Sequence, residues 1–382
     1  MLKNATRPTC FHTQSESNDL IIPRSGHRVL VDSQFLYSWG GFNSDLWDVE
    51  NDEHTRFPLL KEMLQYEMVT DTWRKLEMEG EFPTGLASHV VFKLHRHILH
   101  TGGSGVPFGG SNSNAIYDFN LDTLQWKCIV QEQDLSEEKE AAAPKYGQAL
   151  AQIDNYMYIV GGTSGFTYDM DINRLNLTDL TWEHLEPRSK YVPSERYRHE
   201  VVHYEGNLYL FGGGTAGIEY QLKEIDVFHI EMRVWEKAPT VPYQDIDGGK
   251  SLYPAGRKCH SCHLLADSVY VIGGLGGGRI QQKIWRLHLP SLQWTKLDFS
   301  LPKPVYFHSS ALTQDGCLFV FGGVTKIDTE RTNDLQCVWL AIPSLRTMSW
   351  SVVWSCLDKT RLAETRSRLL QLGVPADLLQ SR

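Results

Sequence analysis

Six times along the 382-residue chain an apolar segment ends on two adjacent glycines: Gly40-Gly41, Gly102-Gly103, Gly161-Gly162, Gly212-Gly213, Gly273-Gly274 and Gly322-Gly323. Thirteen residues before the first glycine of a pair a position recurs, occupied by His27, His89, Gln148, His199 and His260. In the sixth copy His308 stands fourteen back, because Asp315-Gly316 lengthens the turn. After each of the first five pairs comes a tryptophan: Trp73, Trp126, Trp182, Trp235 and Trp294. Between histidine and glycines lie two apolar stretches split by a polar turn, as at Glu205-Gly206-Asn207. A unit this small cannot bury its own apolar face, so the copies must stack on one another. The sequence therefore predicts an all-β, six-bladed β-propeller with four strands to a blade.

A period of roughly 50 residues is the kelch kind of repeat. It divides the chain into an N-terminal segment (1–23), a propeller (24–343) and a tail (344–382). The sixth repeat has strands at His308–Thr313, Cys317–Phe321 and Leu335–Ile342, then Pro343, and lacks an outer strand. The stretch Thr9–Thr13 is expected to supply it and so close the ring, since an open sheet edge invites pairing with other chains. From Ser344 the apolar period changes from two to about 3.6. Leu345, Met348, Val352 and Val353 share one face, Leu362, Leu369 and Leu372 another, and Gly373 and Pro375 punctuate the end, which predicts three short helices.

The formal net charge of −9 argues against a nucleic-acid partner. No apolar run is long enough to span a membrane, and the first twenty residues have no apolar core of a signal peptide. Seven cysteines without framework spacing read as reduced thiols, hence a cytoplasmic or nuclear protein. Cys259-His260-Ser261-Cys262-His263 has metal-like composition, but it falls on an expected inner strand where Cys259 and Cys262 would face opposite ways. No metal or cofactor site is expected, and no hydrolase elbow, HExxH, Walker or Rossmann pattern occurs.

The three residues before each repeat histidine converge at one mouth of a propeller channel. They read Arg24-Ser25-Gly26, Leu86-Ala87-Ser88, Lys145-Tyr146-Gly147, Arg196-Tyr197-Arg198, Arg257-Lys258-Cys259 and Val305-Tyr306-Phe307. Cations gathered in a funnel of an acidic protein, with aromatics between them, make a site for an anion with apolar atoms beside it. The candidates are Arg196, Arg198, Arg257, Lys258, Tyr146, Tyr197, Tyr306 and Phe307, with Arg279 in the loop after Gly273-Gly274. An alternative for Arg24, Arg196 and Arg257 is a repeat-borne brace between blades.

The stretches Gly103-Ser104-Gly105-Val106-Pro107-Phe108-Gly109, Glu195-Arg196-Tyr197-Arg198-His199-Glu200, Arg257-Lys258-Cys259-His260-Ser261-Cys262 and Pro304-Val305-Tyr306-Phe307-His308 resemble the kelch-domain substrate receptors of cullin-2 RING ubiquitin ligases, readers of C-terminal degrons. With the generic Arg24-Ser25-Gly26-His27 they cover nearly the whole chain. The resemblance implies a non-catalytic receptor without cofactors that holds a protein's terminal carboxylate in its funnel. It also implies an elongin B/elongin C box at Leu345, Ser349 and Val353 and a cullin-2 box at Val374, Pro375 and Leu378. An arginine pair that relatives carry after a glycine pair is absent, since Gly214-Thr215-Ala216-Gly217 follows Gly213. Two other classes are a kelch scaffold that regulates a signalling enzyme without a ligase, and a propeller enzyme.

Overall fold

The computed structural model describes residues 11–13, 21–46, 58–68, 71–132, 142–244, 251–345, 348, 349 and 371. Each repeat folds into a small antiparallel sheet. Blade four is representative: Glu200–Tyr204, Asn207–Phe211, Glu224–His229 and Val234–Pro239 pair in chain order. The first strands of the other blades are Arg28–Val31, Val90–Leu94, Ala149–Ile153, Ser261–Leu265 and Ser309–Leu312. These inner strands contact one another in sequence around the ring, and that of blade six returns to that of blade one. The outer strand of blade six is Phe11–Thr13, which pairs with Leu335–Trp339 through Phe11↔Cys337 and Thr13↔Leu335. An N-terminal strand is thus built into the sheet of the last blade, which has no open edge there.

The apolar core lies between blades. Blades six and one bury Leu36, Leu64 and Tyr66 against Phe319, Phe321 and Leu335. Blades one and two bury Trp39 and Met63 against Phe119 and Trp126. The repeat tryptophans serve these seams: Trp73 packs on Phe321 at 4.8 Å between ring centroids, and Trp126 on Trp39 at 4.7 Å.

The glycine pairs have a specific cause. The first glycine of a pair carries the repeat side chain of the next blade. A Cβ on Gly40 would sit 2.9 Å from His89 Cε1, on Gly161 2.8 Å from His199, on Gly212 2.9 Å from His260 and on Gly322 2.7 Å from His27. The second glycine lies against the histidine Cβ of its own blade, and both members have positive φ. Burial holds the imidazoles neutral: His199 and His308 are pushed down to about 3, and His27, His89 and His260 well below the ordinary value. The repeat histidines are inter-blade spacers. Among the described residues no group of three His, Cys, Asp or Glu converges as a metal would require.

Of the tail, residues 344, 345, 348, 349 and 371 are described, with the Met348 amide donating to the Ser344 carbonyl at 2.9 Å. Val353, Val374, Pro375 and Leu378, and with them most of the three expected helices, lie outside the described residues. No described helix is long and apolar enough to cross a membrane.

Candidate functional site: the axial mouth

The three residues before each repeat histidine do three different jobs. At the first position, Arg24, Arg196 and Arg257 are all buried. Each donates Nε to the carbonyl two residues earlier (Ile22, Ser194, Ala255) and Nη1 to the first glycine of its own blade (Gly40, Gly212, Gly273) at 3.0–3.3 Å. Arg24 then pairs with Glu62, and Arg196 with Asp226 at 3.0 Å. Burial alone pulls the Arg257 guanidinium down to about 10. In blade three Lys145 stands in the same place and meets Asp169 and Asp171. The structure therefore turns Arg196 and Arg257 into the blade wall, as the brace alternative has it, and away from the mouth.

The second position forms the mouth's upper wall. Tyr146, Tyr197, Lys258 and Tyr306 each bridge to the residue after a glycine pair. Phe42, Phe108, Tyr146, Tyr197 and Tyr168 follow one another in ring contacts of 6.2, 5.0, 6.2 and 5.3 Å. Lys258 spends its ammonium on the Thr215 and Ala216 carbonyls at 2.8 and 3.1 Å. The Tyr306 hydroxyl donates to Asp328 at 3.2 Å, and Arg279 is exposed at the tip of a blade-five hairpin.

The third position is the floor. The amides of Gly26, Ser88, Gly147, Arg198, Cys259 and Phe307 each donate to the carbonyl of the preceding blade's counterpart, at 2.7–3.1 Å, and the circle closes from Gly26 to Phe307. All six have φ between 54° and 67°. L-residues avoid this region, yet four of the six are not glycine. The two glycines make room. Arg198 extends across the axis with its Cδ and Nε beside Gly147, stacks its guanidinium on Phe307 at 4.5 Å, donates to the Ser88 hydroxyl, and ends near Gly26 in the opposite blade.

Arg198 makes no ion pair among the described residues, and its buried Nε has no acceptor. Desolvation lowers its pKa and the nearby charge of Arg28 adds to that, while Cys259, Tyr197 and Tyr146 act in the other direction. Burial pushes the adjacent Cys259 thiol up to about 12, so it carries no charge to neutralise the arginine. One layer deeper, Arg28 and Glu200 face each other from opposite blades at 3.7 Å, and the channel between the two layers holds only about 20 Å3. The axis is closed below Arg198, which makes the mouth a cup.

Sequence reasoning missed a second cation of this cup. Arg331, on the hairpin after Gly322-Gly323, donates to Ser25 Oγ at 3.1 Å and Ser44 Oγ at 2.6 Å and lies over Phe42 at 5.0 Å. Arg198 and Arg331 thus reach the same Ser25-Gly26 segment from blades four and six. Comparing the six hairpins after the glycine pairs, and not only the six triplets, would have exposed Arg331 and Phe42.

Relatives of this chain are known. The KLHDC2/KLHL20/DRC7 Kelch-repeats domain matches residues 5–213, 105–274 and 147–367. Kelch domain-containing protein 10 of Rattus norvegicus is 36% identical over 361 residues, 94% of this chain and 85% of that protein. The Homo sapiens protein of the same name is 36% identical over 94% of this chain and 79% of its own length. The Drosophila melanogaster homolog is 34% identical over 93% of this chain and 61% of its own. Matched by the domain between residues 5 and 367 and by relatives 36% identical over 94% of its length, the chain belongs to the KLHDC2/KLHL20/DRC7 kelch-repeat family and is a homologue of Kelch domain-containing protein 10.

Proposed function

We propose that this chain is a non-catalytic substrate receptor of a cullin-2 RING ubiquitin ligase, working in the cytoplasm or nucleus, that captures the C-terminal carboxylate of its substrates in the axial cup. One observation carries the reading. Arg198 is a half-buried guanidinium at the bottom of an aromatic cup, stacked on Phe307, with an Nε that has no acceptor and no ion pair among the described residues. Such a cation is costly to leave unpaired and favours an anion that brings its own apolar flanks. A terminal carboxylate fits that description, and Arg331 stands at the rim to share it. The tail contributes the ligase side: Leu345 is 79% exposed, as a residue must be to enter a groove of elongin C. Ubiquitin transfer then belongs to the assembled ligase.

The test is fluorescence anisotropy of the full chain with peptides differing at their last two residues, each with a free or amidated C-terminus. Amidation is expected to weaken binding by roughly 10- to 100-fold, the range of a charge-assisted hydrogen bond. Arg198→Met should weaken the free peptides to the same level and leave the amidated ones unchanged. Binding indifferent to amidation overturns the carboxylate reading. Leu345→Asp should abolish co-purification with elongin B/elongin C, and its retention overturns the ligase reading.

A further inference from the structure

The loops that follow the glycine pairs of blades two, three and four each expose a large apolar side chain. Phe108 is 52% exposed, Phe166 88% and Ile218 52%. These loops form one collar. The Asn112 amide donates to the Gly109 carbonyl at 3.0 Å and to Ser164 of the next blade at 2.8 Å. Gly165 lies so close to Gly109 that a Cβ would fall 2.4 Å from its carbonyl oxygen. The Tyr168 hydroxyl accepts from the Ala216 amide at 3.1 Å, and a tight turn from Thr215 presents Ile218. The collar is continuous with the cup, because the Phe108 ring also lines it against Tyr146 and Phe42.

Beyond Thr215 the collar opens onto a cleft of about 690 Å3 between blades three and four, bordered by Met170, Val192 and Tyr220 and by the carboxylates of Asp169, Asp171 and Glu195. Among the described residues Lys145 alone is shared by Asp169 and Asp171, and Glu186 and Glu195 add to the negative charge that lines the cleft. Three exposed apolar tips on adjoining loops beside a candidate site have the composition of a contact surface. An extended chain advances about 3.3 Å per residue, so residues upstream of a terminus held at the floor run out along the wall toward the collar.

We infer that the collar grips the captured protein just upstream of its terminus, bulky apolar side chains resting on Phe108, Phe166 and Ile218 and basic side chains following into the cleft. This rests on the cup being the carboxylate site. Recognition then depends on two features, a free end and an apolar-basic stretch before it.

The probe is a set of 14-residue peptides ending in the best pair from the pool above. They carry Leu-Leu or Ser-Ser at positions five and six from the end and Lys-Lys or Glu-Glu at nine and ten, each also amidated. The full chain should bind the Leu-Leu peptides about tenfold more tightly than Ser-Ser. Phe166→Ser and Ile218→Ser, both at exposed positions, should erase that preference without shifting the melting temperature. Lys-Lys should outrank Glu-Glu at low salt and lose its advantage at high salt. Equal affinity for Leu-Leu and Ser-Ser overturns the collar even where amidation matters. A Leu-Leu preference in peptides whose affinity amidation leaves unchanged keeps the apolar contact of the collar and overturns the carboxylate reading. Failure of every peptide to bind overturns both.

Discussion

Two layers of this propeller, two residues apart in each blade, obey opposite rules. In the wall, all six blades set a neutral imidazole or amide against a glycine pair, and blades one, four and five add an arginine bonded to the first glycine of their own pair. At the axial floor, six residues with one backbone conformation and one hydrogen-bond ring carry five different side chains, Gly, Ser, Arg, Cys and Phe. Identical geometry filled by identical side chains reports a structural requirement. Identical geometry filled by different side chains, three of them bulky or reactive at an unfavourable φ, reports something the ring itself does not need. Arg196 and Arg198 embody the contrast. One has a carboxylate and two carbonyls, while the other has a hydroxyl, a phenyl face and an empty Nε.

The largest effect expected follows from separating those two arginines. Arg196→Ala strips a buried ion pair of one partner and leaves Asp226, 6% exposed, with the Tyr191 hydroxyl that donates to it at 2.5 Å. Breaking a pair of this kind costs about 3–5 kcal/mol. Arg198→Met keeps a long stem against Phe307 and leaves no carboxylate bereft, so stability should change by less than about 1 kcal/mol. Urea unfolding of both variants decides it. A destabilisation of Arg198→Met equal to that of Arg196→Ala would make the floor another piece of wall.

A smaller effect separates glycines that hold the wall from glycines that only turn. At Gly212, φ is +56° and a Cβ would stand 2.4 Å from the Arg257 carbonyl oxygen and 2.9 Å from the His260 ring. Alanine there combines left-handed strain with overpacking, about 3 kcal/mol in all. At Gly206 φ is +76° with nothing within 4 Å, so alanine should cost only about 1 kcal/mol. Equal costs in thermal unfolding would mean that the pair is glycine for its backbone alone.

The wall was legible in the sequence because it repeats. The repeat position and the glycine pair keep an almost constant spacing, and a tryptophan follows each of the first five pairs, so blade number and inner strands could be read from the sequence. The floor was half legible. Arg198 stood out by breaking the pattern, but Arg196, Arg257 and Lys258 entered the same candidate set, because a linear sequence does not show which side chain crosses an axis and which turns into a blade. Arg331 was invisible for the opposite reason. Its hairpin has no fixed length from blade to blade, so no offset announces it, and only folding brings it to Ser25, 306 positions away.

Protonation gives the gentlest test of the wall against the floor. The folded ring holds its repeat imidazoles unprotonated, with His199 and His308 down at about 3, whereas an unfolded chain titrates them near 6.5. As pH falls below about 6.5 the unfolded state takes up protons that the folded state refuses, so stability declines toward the folded value of about 3. Above 6.5 this contribution is complete and flat. Each histidine adds up to about 1.4 kcal/mol per pH unit within the window. Blade three shows how to remove one proton without removing the spacer, since Gln148 lays its amide on Gly102 where the others lay imidazole. His199→Gln should therefore fold at pH 7 and lose stability between pH 6.5 and 5 less steeply than the parent, by one proton's worth, in urea midpoints. An unchanged slope would mean that His199 is not among the groups refusing the proton. Over the same range Arg198 keeps its charge, so peptide affinity per folded molecule should stay level while the wall weakens around it.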